Sequence, residues 1–96
     1  MKPSIIIEYC PKCGWLLRSA YMAQELLTTF AAELEQVVLK PAVVSGNFII
    51  YIDNQMLFDR KLAGRFPEIT ELKRLVRDVA APGRSLGHSD RGGHAE

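Results

Sequence analysis

The stretch Ile5-Ile6-Ile7-Glu8-Tyr9-Cys10-Pro11-Lys12-Cys13-Gly14-Trp15 decides the architecture, because two periodicities meet in it. Three consecutive β-branched isoleucines predict a strand over Lys2 to Tyr9, buried on both faces. From Trp15 to about Gln36 the apolar spacing turns helical. Leu16, Ala20, Ala23, Leu27, Phe30 and Leu34 step by four and three, which predicts one buried stripe. Arg18, Gln24, Glu25, Glu33 and Glu35 are expected on the opposite side. Cys10 and Cys13, the two cysteines of the chain, therefore fall between a strand and a helix.

That placement has chemical meaning. Two intervening residues let the sulfurs approach disulfide distance, and a helix start offers unpaired N–H groups to a developing thiolate. The helix dipole adds roughly half a positive charge there, and Lys12 adds a full one. Pro11 restricts one backbone angle between the cysteines, and Gly14 is expected to leave room for entry into the helix. Trp15 is expected either to flank the site as an exposed aromatic surface or to pack, and Phe30 to lie in the core. The other readings of the pair are half of a zinc site, which would need further ligands, and inert buried cysteines. The only histidines, His88 and His94, lie far along the chain and are expected to be solvated. Two zinc-sharing chains remain a possible arrangement of such pairs.

Beyond the helix, Val37-Val38-Leu39 leads through Lys40-Pro41 and Ala42-Val43-Val44 as a second strand, closed by the turn residues Ser45-Gly46-Asn47. Phe48 to Ile52 and Gln55 to Arg60, joined by Asp53-Asn54, predict a hairpin. Leu62 to Phe66 is expected as a loop. Pro67 with Glu68 and Glu71 then opens a second helix, whose stripe is Ile69, Leu72, Val76 and Val79 with Leu75 alongside. Pro82-Gly83 ends it. Lys73, Arg74 and Arg77 are expected on a solvated face. The order βαβββα, with a right-handed parallel crossover followed by an antiparallel hairpin, predicts an α/β (α+β) chain. Its mixed four-stranded sheet and two helices form a reduced thioredoxin-like fold. Residues 1–83 would form this domain and 84–96 a flexible C-terminal tail.

Composition bounds the rest. The chain has 96 residues, 48% apolar and 24% charged, with a formal net charge of +1. This suits one small globular domain. Such a balance does not suggest a nucleic-acid partner, and no apolar run approaches membrane-spanning length. No secretory signal is visible, so the expected address is cytoplasmic. No phosphate-cradling glycine loop occurs, and Glu33 and Glu35 are two apart on a helix and face different directions.

Three segments carry a family resemblance: Ile6 to Trp15, Ser45-Gly46-Asn47-Phe48-Ile49-Ile50, and Pro67-Glu68-Ile69-Thr70-Glu71-Leu72-Lys73. With these in order, the chain resembles the selenoprotein W-like group, the Rdx family that also holds relatives of selenoproteins T and H. It looks like a bacterial, cysteine-containing member, over about residues 4 to 88. The resemblance implies a thioredoxin-like fold and a thiol–disulfide oxidoreductase in cell redox homeostasis, acting on protein or glutathione thiols and disulfides. No organic or metal cofactor is implied. Selenium-containing members carry selenium at the position of Cys13, which implies that Cys13 attacks first, whereas thioredoxin convention assigns the attack to Cys10. Both orders stand at this point. Where thioredoxins face their motif with a proline, this chain has Val44-Ser45-Gly46, and Ser45 is expected to face the thiols. The alternative function is a non-catalytic, redox-sensitive interaction module, or a zinc-bridged dimer.

Overall fold

Alternation along the isoleucine run places β1 (Ser4–Tyr9) at the heart of the sheet. In the computed structural model, which describes residues 1–87, Ile5, Ile7 and Tyr9 point into the core and are almost fully buried. Ile6 and Glu8 point to the other face and are only half-buried. The strand is thus buried on one face, not on both as its apolar run suggested. β1 pairs in parallel with β2 (Gln36–Pro41), Ile6 opposite Val38. On its other side it pairs antiparallel with β3 (Phe48–Ile52), Ile7 opposite Ile50. β4 (Gln55–Asp59) completes the hairpin, and the strand order is β2-β1-β3-β4. Asp53 turns the hairpin at φ +51, a left-handed conformation that aspartate tolerates. Its carboxylate accepts the Ser4 N–H at 3.0 Å.

The first helix, α1 (Leu16–Thr29), is shorter than its periodicity suggested. Fourteen residues advance about 21 Å, close to the roughly 20 Å of six-residue β1. A helix continued to Gln36 would advance about 30 Å and overshoot the start of a strand parallel to β1. The Phe30 carbonyl instead accepts the N–H groups of Glu33 and Leu34, and the chain turns back. The buried side is also rotated from the expected stripe: Ser19, Met22, Ala23, Leu26, Phe30 and Leu34 are buried, whereas Leu16 and Leu27 are nearly half exposed. Ser19 is tolerated there because its hydroxyl donates to the Trp15 carbonyl at 2.8 Å.

A further helical turn, α2 (Arg60–Ala63), occupies what the sequence suggested was strand end and loop. Asp59 caps it by accepting the Lys61 N–H at 2.9 Å, and Gly64 closes it at φ +77. α3 (Ile69–Ala80) follows a capping box. Glu68 occupies its N-cap, so Pro67 stands just before the helix. Glu71 accepts the Glu68 N–H and both arms of the Arg65 guanidinium, at 2.8 and 3.0 Å. The Arg65 hydrogen bonds hold the Glu71 carboxyl below the usual carboxylate range. Leu72 and Val76 are buried, while Val79 is 40% exposed and outside the stripe predicted for it.

Both long helices cover one sheet face. Met22, Leu26, Phe30, Leu72 and Val76 share a core with Ile5, Ile7, Phe48, Ile50 and Ile52. Lys73 of the basic cluster is not a free solvated charge: it pairs with Glu25 at 2.9 Å and ties α3 to α1. This is the thioredoxin-like α+β arrangement, with a mixed sheet and a βαβ start. The segment expected to be a tail begins against the domain: Arg84 pairs with Glu33 at 2.9 Å, and Leu86 packs on the core. Its remainder, with His88 and His94, lies outside the described residues.

Candidate functional site

The end of β1 carries Cys10 into the interior, where it is 1% exposed. Pro11 to Gly14 then form a tight turn, closed by the Gly14 N–H donating to the Pro11 carbonyl at 3.2 Å. This turn returns Cys13 to the surface above Cys10, with Cα atoms 5.3 Å apart and the two sulfurs joined in a disulfide. Gly14 is required for its backbone and not for steric room: φ is +76, yet nothing lies within 4 Å of where a Cβ would stand. Pro11, Lys12 and Cys13 are all exposed, so the turn presents the motif to solvent.

Two elements complete the surroundings. Ala42–Asn47, held by Ala42 N–H to the Tyr9 carbonyl at 2.7 Å, brings the Ser45 hydroxyl to 3.8 Å from the Cys10 sulfur. Cys10, Pro11, Lys12, Ala42, Val43 and Ser45 together line a cavity of about 80 Å³. From the other side comes the start of α1, where Trp15 occupies the N-cap without a capping side chain. The positive end of the helix therefore begins directly after the motif, with no capping side chain and no first-turn acid to neutralise it.

Trp15 is half-buried, not an exposed flank. Its ring meets Phe66 edge-on at 5.0 Å and Phe48 at 6.3 Å. Arg60 stacks over Trp15 and Phe66 at 4.9 and 4.7 Å, and Arg18 over Phe66 at 4.0 Å. Trp15 thereby braces the turn that holds Cys13. Phe66, Arg18 and Arg60 were not singled out from sequence as its partners, since they come from the segment after α2, from α1 and from α2, and no local spacing links them. Phe30 is fully buried, as read.

A wider groove on the open sheet face, lined by Ile6, Glu8, Lys40, Tyr51, Asp53 and Asn54, carries no cysteine. Among the described residues no three His, Cys, Asp or Glu side chains are grouped to hold a metal ion. No described helix is long and apolar enough to cross a membrane.

Comparison with known proteins agrees with this geometry. The model of the Rdx family matches residues 4–78. The crystal structure of a selenoprotein W-related protein from Vibrio cholerae superposes with a TM-score of 0.80 at 45% identity, over 83% of this chain and 99% of that one. A protein from Bordetella parapertussis superposes with a TM-score of 0.78 at 50% identity, over 81% of this chain and 98% of that one. No functionally curated protein is significantly similar. With the family model spanning nearly the whole described domain and both solved relatives sharing its fold, the chain belongs to the Rdx family.

Proposed function

We propose that the protein is a cytoplasmic thiol–disulfide oxidoreductase that works through Cys10 and Cys13, with protein or glutathione disulfides as its partners. The observation that carries this reading is a disulfide with one buried and one exposed sulfur at an uncapped helix start. In the reduced protein, the Cys13 thiolate attacks one sulfur of the partner disulfide. A Cys13–partner bond forms, the partner's bond breaks, and the first partner thiol leaves. Cys10, deprotonated, then attacks the Cys13 sulfur, releases the second partner thiol and closes the internal bridge. Two electrons pass to the partner, and an external thiol donor must return them for the next cycle.

The exposure difference favours Cys13 as the attacking sulfur. An incoming disulfide must reach the thiolate in line, which an exposed sulfur permits and a sulfur at 1% exposure does not. The helix start and Lys12 stabilise charge developing on Cys13, and Ser45 is placed to donate to Cys10 when it becomes a thiolate. The buried sulfur then needs only to meet its neighbour within the turn.

Single-cysteine variants test both the function and the order. Cys10→Ser should accumulate a stable mixed disulfide through Cys13, seen as an added mass, while Cys13→Ser should accumulate little. The opposite pattern reverses the order. Neither variant trapping a disulfide, with no turnover by the unaltered protein, overturns the oxidoreductase reading.

A further inference from the structure

The two edges of the sheet are finished differently. β4 is bent by a bulge beside Ile50 and Tyr51 and runs straight into α2, which unfits it as a template for another strand. On β2 such protection is confined to the last two residues, Lys40 and Pro41. Its register with β1 is regular throughout, and among the described residues it pairs with no other strand. The Ala42 N–H points to Tyr9, so alternation turns the N–H and C=O groups of Val37 and Leu39 away from β1. Val37, Val38 and Leu39 are only partly buried.

The helix above this edge is unfinished on the same side. α1 lies over β1 and β2, and on one flank its Glu25 reaches Lys73 of α3. Leu16, Ala20 and Leu27 stand about 140–180° around the helix from Glu25. Their flank therefore looks out past β2. Leu16 is 48% and Leu27 43% exposed, with the small Ala20 between them. These residues belong to the apolar stripe that the helical spacing marks out, and the chain's own core leaves them uncovered. Beside the strand, Glu35 and Lys40 are exposed, and neither meets an opposite charge among the described residues.

An open strand edge, an apolar helix flank above it and charges of both signs make a surface complementary to itself. We propose that two copies of this chain join β2 to β2, antiparallel about a two-fold axis at Val38, so that two four-stranded sheets become one. In that register Val37 of each copy lies opposite Leu39 of the other, and their outward N–H and C=O groups exchange hydrogen bonds. The two α1 helices come side by side at the spacing of packed helices, about 8–10 Å, with Leu16, Ala20 and Leu27 between them. Lys40 of each copy approaches the strand start of the other, where Glu35 stands. Pro41 has no N–H to offer and ends the pairing. The two cysteine turns then lie at opposite ends of the assembly, and the pairing does not depend on the exchange chemistry. Leu27 is covered only in the dimer, so it adds to stability only where the protein is concentrated enough to pair.

Two measurements test this. In the first, the full chain is followed by sedimentation equilibrium over a concentration series, and a reversible approach to twice the chain mass is expected. Leu27→Glu puts a charge into the apolar seam, and Val38→Lys sets like charges together at the axis; each should weaken association at least tenfold. Met56→Lys, on the other edge strand and 47% exposed, should leave it unchanged. A single-chain mass at every concentration overturns the proposal, as does a dimer that ignores both seam substitutions or responds equally to Met56→Lys. The second measurement tests the register. At the axis Val38 faces its own counterpart in a non-hydrogen-bonded pair, with Cα atoms about 4.5 Å apart, within the span of a disulfide. Val38→Cys in a Cys10→Ser/Cys13→Ser chain, with oxidised glutathione as electron acceptor, should form an intermolecular disulfide at least tenfold faster than Met56→Cys in the same chain. Equal rates overturn the β2 pairing even where a dimer is present.

Discussion

Replacing Ser45 by alanine isolates one contact at the site, because Ser45 is exposed and its hydroxyl approaches a single described partner, the Cys10 sulfur at 3.8 Å. In the disulfide that sulfur is a weak acceptor. Once reduced and deprotonated it is an anion, and a hydroxyl donated to it gains the strength of a charge-assisted bond. Hydrogen bonds to charged groups contribute about 1.5–3 kcal/mol. At 3.8 Å the contact is long even for sulfur, so about 1 kcal/mol is the appropriate scale. Losing a hydrogen bond to the charged form disfavours it, so Ser45→Ala should move the onset of Cys10 alkylation to higher pH. The same loss destabilises the reduced form. At a pH where Cys10 is ionised, the reduction potential should fall by about 20 mV, since 30 mV corresponds to about 1.4 kcal/mol for a two-electron couple. The assay is the pH dependence of Cys10 alkylation in a Cys13→Ser background, with the potential measured in the two-cysteine protein. Unchanged values in both would show that Ser45 does not serve Cys10, and the role assigned to the loop's hydroxyl would fall.

Other perturbations test the framework around the site. Gly14→Ala should cost about 1–2 kcal/mol despite the open space around it, because the penalty lies in the left-handed backbone; denaturant unfolding that shows no loss would mean the turn relaxes freely. Leu26→Ala should cost about 2–5 kcal/mol and Leu27→Ala far less, since Leu26 is fully buried and Leu27 is 43% exposed; equal losses would contradict the face assigned to α1. Arg65 holds the Glu71 carboxyl below its unfolded value of about 4.3. Its contribution is therefore complete above that pH and lost as pH falls through the lower folded value. Glu71→Gln should flatten this acid side of the stability curve, and an unaltered slope would refute the assignment.

Much of this architecture was legible in the chain because its signals are local. The isoleucine run, the Asp53-Asn54 turn and the Pro82-Gly83 stop each act within a few residues, and β1, β3, β4 and α3 follow them closely, whereas β2 ends at Pro41 and leaves Ala42-Val43-Val44, read as part of it, in the loop. The extent and rotation of α1 were not legible for two reasons. Leu16-Leu17 and Leu26-Leu27 place leucines on adjoining faces, so spacing alone does not choose between them. The buried Ser19 looks like a surface residue until its bond to the Trp15 carbonyl is seen. Nor does any glycine or proline stop the helix at Phe30; the length of β1 does. α2 did carry a signal, Asp59 and Gly64 bracketing one turn, which the β-rich run before it obscured. At the site, the cysteine spacing located the chemistry, while the approach of Ser45 was reached through resemblance and the aromatic brace of Trp15 was hidden. Trp15, Phe48 and Phe66 are far apart along the chain, and only the folded sheet and helices bring their rings together.

The account turns on whether the Cys10–Cys13 bridge opens and closes as a redox couple. The direct measurement is its reduction potential, obtained by equilibrating the protein in defined glutathione buffers and trapping free thiols. A reversible two-electron transition between about −180 and −300 mV is predicted, the range of exchanging dithiol pairs. A pair that never closes to the intramolecular disulfide, or that shows no reversible transition in these buffers, would contradict the two-cysteine mechanism.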